Sequence, residues 1–494
     1  MVSERNAFGL KGRSDKNMKI TFVRPPFYSL LNAADYKLNT YPLQLGYLAA
    51  CAGRVGWDTG FVDGEDLDAG DILKEAAGMS KSEYIEFTMH DNITKIDKIM
   101  QSADHPVWGG LADEILTTGP DLIGITCYSS SMNSVKLLCE NIKRRANVPI
   151  ILGGIHPTSL PVHSLKYTKA DMVVVGEGET TLTELLRICP DGGQSRLNKI
   201  EGLAYKTPDG GIIVNKARGN IDDLDSLPFP DRDFFDKGAY SGDVMSTSRG
   251  CPFSCNYCAS KVMWQRKVRF RGVESVLAEL TTLRDKYNSS FIRIVDDTFT
   301  LKRERVMDLC RGIQEKGLNS IRFSLGSRVD RLDEEMAGEL KKSGVETVTL
   351  GIESASPRIL KFIEKNETLK AMADSIRILK RFDIQSHAFF MIGFPGETKA
   401  DIEMSKEFIA SHRPDYCEVN MVTPYPGTPL WDMTMKDKEY SVDNWYQRFH
   451  QGLSAGFDLP YDLNEEYESF VRFTKEIGIR GEATTAIKEE EKAL

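Results

Sequence analysis

No stretch of this sequence approaches the roughly 18 consecutive apolar residues that a membrane-spanning helix needs. The opening MVSERNAFGLKGRSDKNMK holds no apolar core of signal-peptide length. Positive charge is not in surplus: 72 acidic residues outnumber 63 lysines and arginines, for a net charge of −9. That balance excludes a broad nucleic-acid-binding face and leaves room only for a local basic pocket. Cysteine is too sparse for a disulfide scaffold, with nine in 494 residues. At roughly 150 residues per domain, the chain is long enough for about three domains with cores of their own. A cytoplasmic location with reduced thiols is the expectation. There, clustered cysteines point to metal or redox chemistry rather than to crosslinks. Cys51, Cys127, Cys139, Cys189, Cys310 and Cys417 are scattered in apolar or mixed stretches and read as buried small hydrophobes.

What the sequence does contain is alternation. MKITFVRPP reads as a strand closed by two prolines, YPLQLGYLAACAGRVG as a helix ending at Gly56, and DTGFVDGED as a second strand closed by Asp63. Residues 65–118 are polar and read as a mostly helical insertion. PDLIGITCYSSS, VPIILGGIHP and ADMVVVGEGE each read as a strand with its loop, and NSVKLLCENIKRR and TTLTELLRI as helices. Apolar runs alternating with helices predict a doubly wound, mostly parallel sheet over 18–190, after a flexible 1–17. Residues 191–240, with PDGG, TPDGG and LPFPD, read as a linker carrying a β-hairpin. DVMSTSRG, FIRIVDD, IRFSLGSR, TVTLGIES, SHAFFMIG and YCEVNMVTP then predict a six-unit β/α barrel, open on one side, over 241–435. Residues 436–494 read as a helical segment ending in the charged run IKEEEKAL, a solvated tail.

Three cysteines crowd into TSRGCPFSCNYCAS as C-x-x-x-C-x-x-C: Cys251, Cys255 and Cys258. Structural zinc needs a fourth ligand, and the next histidine downstream, His387, is more than a hundred residues away. Iron–sulfur clusters normally take four cysteines. Three would leave one iron open to chelation by an amine and a carboxylate.

The stretch resembles the cluster motif of radical S-adenosylmethionine (SAM) enzymes, and Tyr257, just before the third cysteine, fits that pattern. The resemblance covers about 241–430. It implies a [4Fe–4S] cluster on Cys251, Cys255 and Cys258, SAM on the open iron, and an electron donor such as flavodoxin or ferredoxin. Reductive cleavage of SAM would give a 5′-deoxyadenosyl radical that takes hydrogen from substrate. Functional groups of such barrels gather at the C-terminal strand ends. There the resemblance places Asp296 and Asp297 near the SAM amino group, Arg328 on its carboxylate, and Glu353 and Ser354 on its ribose. The GFPGET loop, with Gly393 and Pro395, would lie along the adenine. PYPGTPLW, after the sixth strand, resembles another turn common in this superfamily. Taken one at a time, an aspartate here also reads as a helix cap, and Arg328 as half of an ion pair.

In the first domain the strand-end loops are TCYSSSMN, GGIHPTS and GEGET, rich in glycine and small hydroxyl residues. The G-x-G-x-x-G nucleotide fingerprint is absent after the first strand. The RPP strand end, YPLQLGYLAA, Asp63, GGIHPT and VVGEGET resemble the cobalamin-binding domain found upstream of many radical SAM barrels. The resemblance implies that Ser129, Gly153, Gly154, His156, Gly176, Glu177 and Gly178 surround the corrin or its tail. The cobalt-ligating D-x-H-x-x-G motif is missing, so His156 is expected at the corrin periphery or fixing its loop.

Together these features imply a cobalamin-dependent radical SAM methyltransferase. One SAM would recharge the cobalamin with methyl, and a second would supply the radical that activates an unactivated carbon of a small-molecule or natural-product substrate. A cyclase or oxidative rearrangement of the anaerobic tetrapyrrole type keeps the same cofactors. A methylthiotransferase fits less well, because Cys51, Cys127 and Cys139 are not placed as a second cluster trio. A cobalamin-sensing protein that has lost its chemistry would not need the intact cysteine trio. Trp445, Tyr446, His450 and the barrel-interior His387 are candidates for lining the substrate pocket, or simply for core packing.

Overall fold

The computed structural model describes residues 17–26, 41–64, 99–189, 194–235, 243–435 and 459–481. The chain divides into two units, residues 1–240 with 425–455, and 241–424 with 456–494. Among the described residues no helix is long and apolar enough to cross a membrane.

The first unit is built on β1 (Lys19–Arg24), β2 (Asp58–Asp63), β3 (Leu122–Thr126), β4 (Ile150–Gly153), β5 (Met172–Val174), β6 (Leu203–Lys206) and β7 (Ile212–Val214). Their spatial order is β2-β1-β3-β4-β5-β6-β7. β1 to β5 run parallel, as the sequence predicts. Parallel strands covered on both faces need apolar side chains on both sides of the pleat; β3, inside the sheet, is buried at every position, while the edge strand β2 is buried only at Val62.

Two readings change. The hairpin assigned to a linker is instead the sheet's antiparallel edge, β6 pairing with β5 and β7 with β6. The segment read as an insertion ends in the helix Pro106–Thr117, which feeds β3. Its Trp108, Leu111, Ala112 and Ile115 are fully buried in the core with Val135, Leu138 and Ile142 of the following helix. The rest of that segment, 65–98, lies outside the described residues.

The second unit contains β8 (Asp243–Met245), β9 (Ser248–Arg249), β10 (Arg269–Phe270), β11 (Phe291–Ile294), β12 (Arg322–Ser327), β13 (Val345–Glu353), β14 (Gln385–Ile392) and β15 (Tyr416–Met421). Six of them form one parallel sheet in the order of the sequence, β8-β11-β12-β13-β14-β15. Along β14 the side chains largely divide by period two: Ser386, Ala388, Phe390 and Ile392 are sealed, while Gln385, Phe389 and Met391 are only half-buried, with His387 the buried exception on their face. β9 and β10 form a separate antiparallel clip. The second unit's barrel stops at Pro424; the following helix, Pro429–Met435, places Trp431 in the first unit's core rather than with the barrel to which the sequence assigned it.

Candidate functional site

Each unit carries a cluster of the flagged residues at the carboxyl ends of its strands. In the second unit the chain leaves β8, forms β9, loops through the three cysteines and returns on β10, so the β9–β10 clip pins the base of the loop. Gly250 opens it at φ +102°, and a Cβ there would sit 2.0 Å from the Lys267 carbonyl oxygen. Asn256, buried between two cysteines, donates its backbone N–H to the Ile363 carbonyl (3.1 Å) and its side chain to that of Phe362 (2.7 Å). Cys251, Cys255 and Cys258 are all free and partly exposed, whereas the other six cysteines are buried, as the sequence predicts for them.

Among the described residues no group of three His, Cys, Asp or Glu is arranged to hold a single metal ion. A cubane asks for something different, one thiolate at each of several irons, and three half-exposed thiols on a pinned loop fit that larger group. The Ser260 N–H points at Cys258 Sγ from 3.4 Å, a donor suited to a thiolate. Burial pushes the Cys258 thiol up to about 11, so loading iron must displace a proton there.

The two strand-end aspartates have different surroundings. Asp296 is buried and accepts from Thr247 N (2.6 Å), Ser248 N (3.0 Å), Ser248 Oγ (2.7 Å) and the Thr247 hydroxyl. Its lone pairs are taken up in shaping the entry to the cysteine loop. Arg305 adds a bond to the Thr247 carbonyl (2.9 Å). The buried Arg271–Glu279 pair closes this frame beneath Ser246; removing one partner of such a pair costs about 3–5 kcal/mol. Asp297 stands exposed at the rim, accepting from Gly250 N (3.1 Å) and Ser260 Oγ (2.7 Å). It retains capacity for a ligand ammonium.

Arg328 is already engaged. Its Nε donates to Asp330 (3.0 Å), its Nη2 lies 3.1 Å from Glu367, and its guanidinium covers the Phe253 ring at 3.7 Å. Glu353 closes β13 at φ +68°, beside a register shift. A left-handed non-glycine residue costs about 1–2 kcal/mol, and here it turns the carboxylate toward Lys365 (3.2 Å). Burial, then the Glu353 carboxylate, raises the Tyr257 phenol well above its usual range. The Tyr257 ring meets Phe394 edge-on, 6.0 Å between centroids. Ser354 is buried, its Oγ accepting from Ser356 N (3.1 Å).

In GFPGET, Gly393 sits at φ +96° and donates its N–H to Glu397 (2.6 Å), while Pro395 is half-buried. Tyr461 donates to the same Glu397 oxygen (2.8 Å), and burial pushes that carboxyl up to about 7. Asn256, Lys365, Glu367, Glu397 and Tyr461 were not singled out from the sequence. The tight spacing of Asn256 between Cys255 and Cys258 was the one available signal. His387 lies on β14, stacked on Phe389 (4.6 Å) with Nε2 3.8 Å from Glu418. Trp445, Tyr446, Phe449 and His450 fall outside the described residues.

In the first unit, strand order reverses between β1 and β3, the place where doubly wound sheets take ligands. Arg24, at the end of β1, forks onto Asp63, at the end of β2. After β3, Ser129 Oγ is 2.9 Å from His156 Nδ1, tying the β3 loop to the β4 loop. Gly154, at φ +114°, brings the backbone close enough that a Cβ would meet the Cys127 carbonyl oxygen at 2.7 Å. Gly153 faces open space. Gly176 (φ +84°) donates its N–H to Thr158 (3.0 Å), Glu177 accepts from Ile221 N (2.7 Å), and Gly178 starts a helix against Leu48. On the β3 loop, Tyr128 is 48 % exposed. Glycines without side chains beside an exposed ring fit a large flat ligand.

His156 is fully enclosed; burial first, then the nearby His163, pushes its pKa down to about 3. The folded value lies below the unfolded 6.5. Its contribution to stability is therefore complete above pH 6.5 and is lost as pH falls toward 3. Stability should drop by up to about 1.4 kcal/mol per pH unit in that window. Urea unfolding between pH 7 and 5 checks this: His156→Gln, which can still reach Ser129, should flatten the slope.

The comparisons agree with this geometry. The radical SAM superfamily matches residues 245–409 and the B12 binding domain residues 100–186. An uncharacterized methyltransferase of Pyrococcus horikoshii is 34 % identical over 92 % of this chain and 91 % of its own length. The anaerobic magnesium-protoporphyrin IX monomethyl ester cyclase of Rubrivivax gelatinosus is 27 % identical over 65 % of this chain and 59 % of its own. Among solved structures, the radical SAM methyltransferase TsrM of Kitasatospora setae, with cobalamin and a [4Fe–4S] cluster bound, shares the fold. Its TM-score is 0.65 at 18 % identity, covering 85 % of this chain and 78 % of that one. The chain therefore belongs to the radical SAM enzymes, in the branch whose barrel follows a cobalamin-binding domain.

Proposed function

We propose that this enzyme methylates an unactivated carbon of a small molecule or natural product. The carrying observation is the pairing, in one chain, of a pinned three-cysteine loop at the barrel mouth with glycine-lined loops at the switch point of a β2-β1-β3 sheet. When bound, the cluster with SAM supplies a hydrogen-abstracting radical, and the cobalamin supplies a transferable methyl group. Methyl transfer is favoured over cyclisation because the relative described as a methyltransferase matches at both higher identity and fuller length than the cyclase.

In this reading Cys251, Cys255 and Cys258 hold the cluster, with Tyr257 and Phe394 walling it. Asp297 receives the SAM ammonium, while Asp296 shapes the loop. Arg328 and Lys365 offer positive charge to the carboxylate. Glu353 meets the ribose and Ser354 steadies the turn that follows. Gly393 and Pro395 let the backbone approach the adenine. In the first unit Ser129, Gly153, Gly154, Gly176, Glu177 and Gly178 line the cobalamin site, with His156 holding two of its loops together. A low-potential carrier such as flavodoxin or ferredoxin supplies electrons, in the cytoplasm.

The test is anaerobic turnover with methyl-labelled SAM, a low-potential reductant and cobalamin, screened against candidate substrates. Labelled product with S-adenosylhomocysteine and 5′-deoxyadenosine in equal amounts is the expected result. 5′-Deoxyadenosine alone, with an unlabelled cyclised product, would overturn methyl transfer in favour of the cyclase reading.

A further inference from the structure

A buried row of alternating charge lies beside the cysteine loop: Glu353, Lys365, Glu367 and Arg328. The Lys365 side chain is 5 % exposed, its Nζ 3.2 Å from Glu353 and 3.7 Å from Glu367. Arg328 closes the row on Glu367 and donates to the Lys365 carbonyl (3.2 Å). The turn carrying Lys365 is fixed. Its neighbours Glu364 and Asn366 are both left-handed, at φ +57° and +48°, and Asn256 bonds the carbonyls of Phe362 and Ile363 just before them. Lysine is among the residues least often buried, and holding this one at a set place beside a cysteine loop asks for a reason.

The reason is in where these charges stand. Asn256, the residue after Cys255, holds the two carbonyls that lead into the Lys365 turn, and Arg328, bonded to the Lys365 carbonyl, lies over the Phe253 ring inside the cysteine loop, so both cations of the row stand against that loop. A cation there steadies the additional negative charge of a reduced cluster. Charge near the cluster is one of the factors that set an iron–sulfur potential, and in a buried setting it is poorly screened.

We propose that the Lys365 cation sets the reduction potential of the cluster held by Cys255, raising it so that an external donor can deliver the electron, with Glu353 as counterweight. The step is a single electron entering the cluster from that donor, with no bond made or broken. This rests on the cluster assignment above.

The experiment is an equilibrium redox titration of the full chain, anaerobically reconstituted with iron and sulfide, without SAM or cobalamin. It is run at pH 8.5, and the reduced cluster is followed by electron paramagnetic resonance. At a fixed ambient potential, Lys365→Met should lower the reduced-to-oxidised ratio at least about threefold, a shift of about 28 mV at 59 mV per tenfold for one electron. Glu353→Gln should raise the ratio, and Lys365→Arg should stay near wild type.

A lysine with a merely structural role would not produce opposite shifts from the two substitutions. Shifts in the same direction, or none, overturn the proposal while leaving the cluster assignment standing. Should Lys365→Met fail to hold iron, Glu353→Gln and Glu367→Gln still decide: each removes an anion and must raise the ratio, and a failure to do so overturns it. A wild-type chain that assembles no cluster overturns both.

Discussion

Alanine at Cys255 is expected to abolish iron–sulfur assembly and SAM cleavage together while the two units stay folded. Three thiols on one pinned loop are the whole of the protein's ligand set in this reading, and losing one leaves two. Losing an outer-shell partner alone lowers metal affinity about 10- to 100-fold, so loss of a direct ligand should exceed about 100-fold. The side chain is only partly buried, so the truncation opens little cavity and the circular dichroism spectrum should not change. Iron and sulfide per chain after anaerobic reconstitution, together with 5′-deoxyadenosine formed under dithionite, give the readout. Cys310→Ala is the control: that thiol is a buried residue of the helix Arg303–Glu315, outside the cysteine loop, and its loss should leave iron content untouched. Full iron and SAM cleavage in Cys255→Ala would remove the loop from the chemistry.

Gly250→Ala should have nearly as large an effect without touching a ligand. The position needs φ +102°, a region nearly closed to other residues, at a cost on the order of 1–3 kcal/mol. The added methyl would also stand 2.0 Å from the Lys267 carbonyl oxygen and 3.3 Å from Trp264 Cβ. Backbone cannot yield there as a flexible side chain would, because Arg249 pairs with Arg269 in the clip that closes the loop. The clip must open, and the three thiols lose their common geometry. Iron per chain is expected to fall about tenfold, within the range seen when a site's support is lost. Gly219→Ala, where a methyl meets nothing within 4 Å, should be silent. If Gly250→Ala binds iron as wild type does, the loop tolerates opening and its rigidity is not what assembles the cluster.

The six barrel strands were legible because each is an apolar run ended by a turn signal, as in FIRIVDD and SHAFFMIG. The helix Pro106–Thr117 was legible only as part of a helical insertion, and its place in the core was not, because it sits in a polar stretch. Its buried apolar side chains are at 108, 111, 112 and 115, a helical stripe that a shorter window would have caught. The hairpin could not be placed from sequence, since its pairing with β5 is set by packing 30 residues away. Asp296 and Asp297 are the same residue type at consecutive positions. Past the end of β11 the chain turns one inward to four donors and the other to the rim, a difference no local pattern encodes. Lys365 stands in the polar run EKNETLK, which composition alone assigns to the surface. Only the fold, which brings two carboxylates around its ammonium, makes that position a buried one.

The barrel strands are hydrogen-bonded in the order in which they are synthesised, β8-β11-β12-β13-β14-β15. Each new strand can therefore dock on its predecessor as it leaves the ribosome, without waiting for a distant partner, which keeps loop-closure entropy low. The cysteine loop, emerging just after the first of these strands, must wait longer. Its supports Asp296, Ile363 and Lys365 arrive from about forty to more than a hundred residues later, so a nascent chain reaches its metal-competent shape only once the fourth strand and the turn behind it have been made.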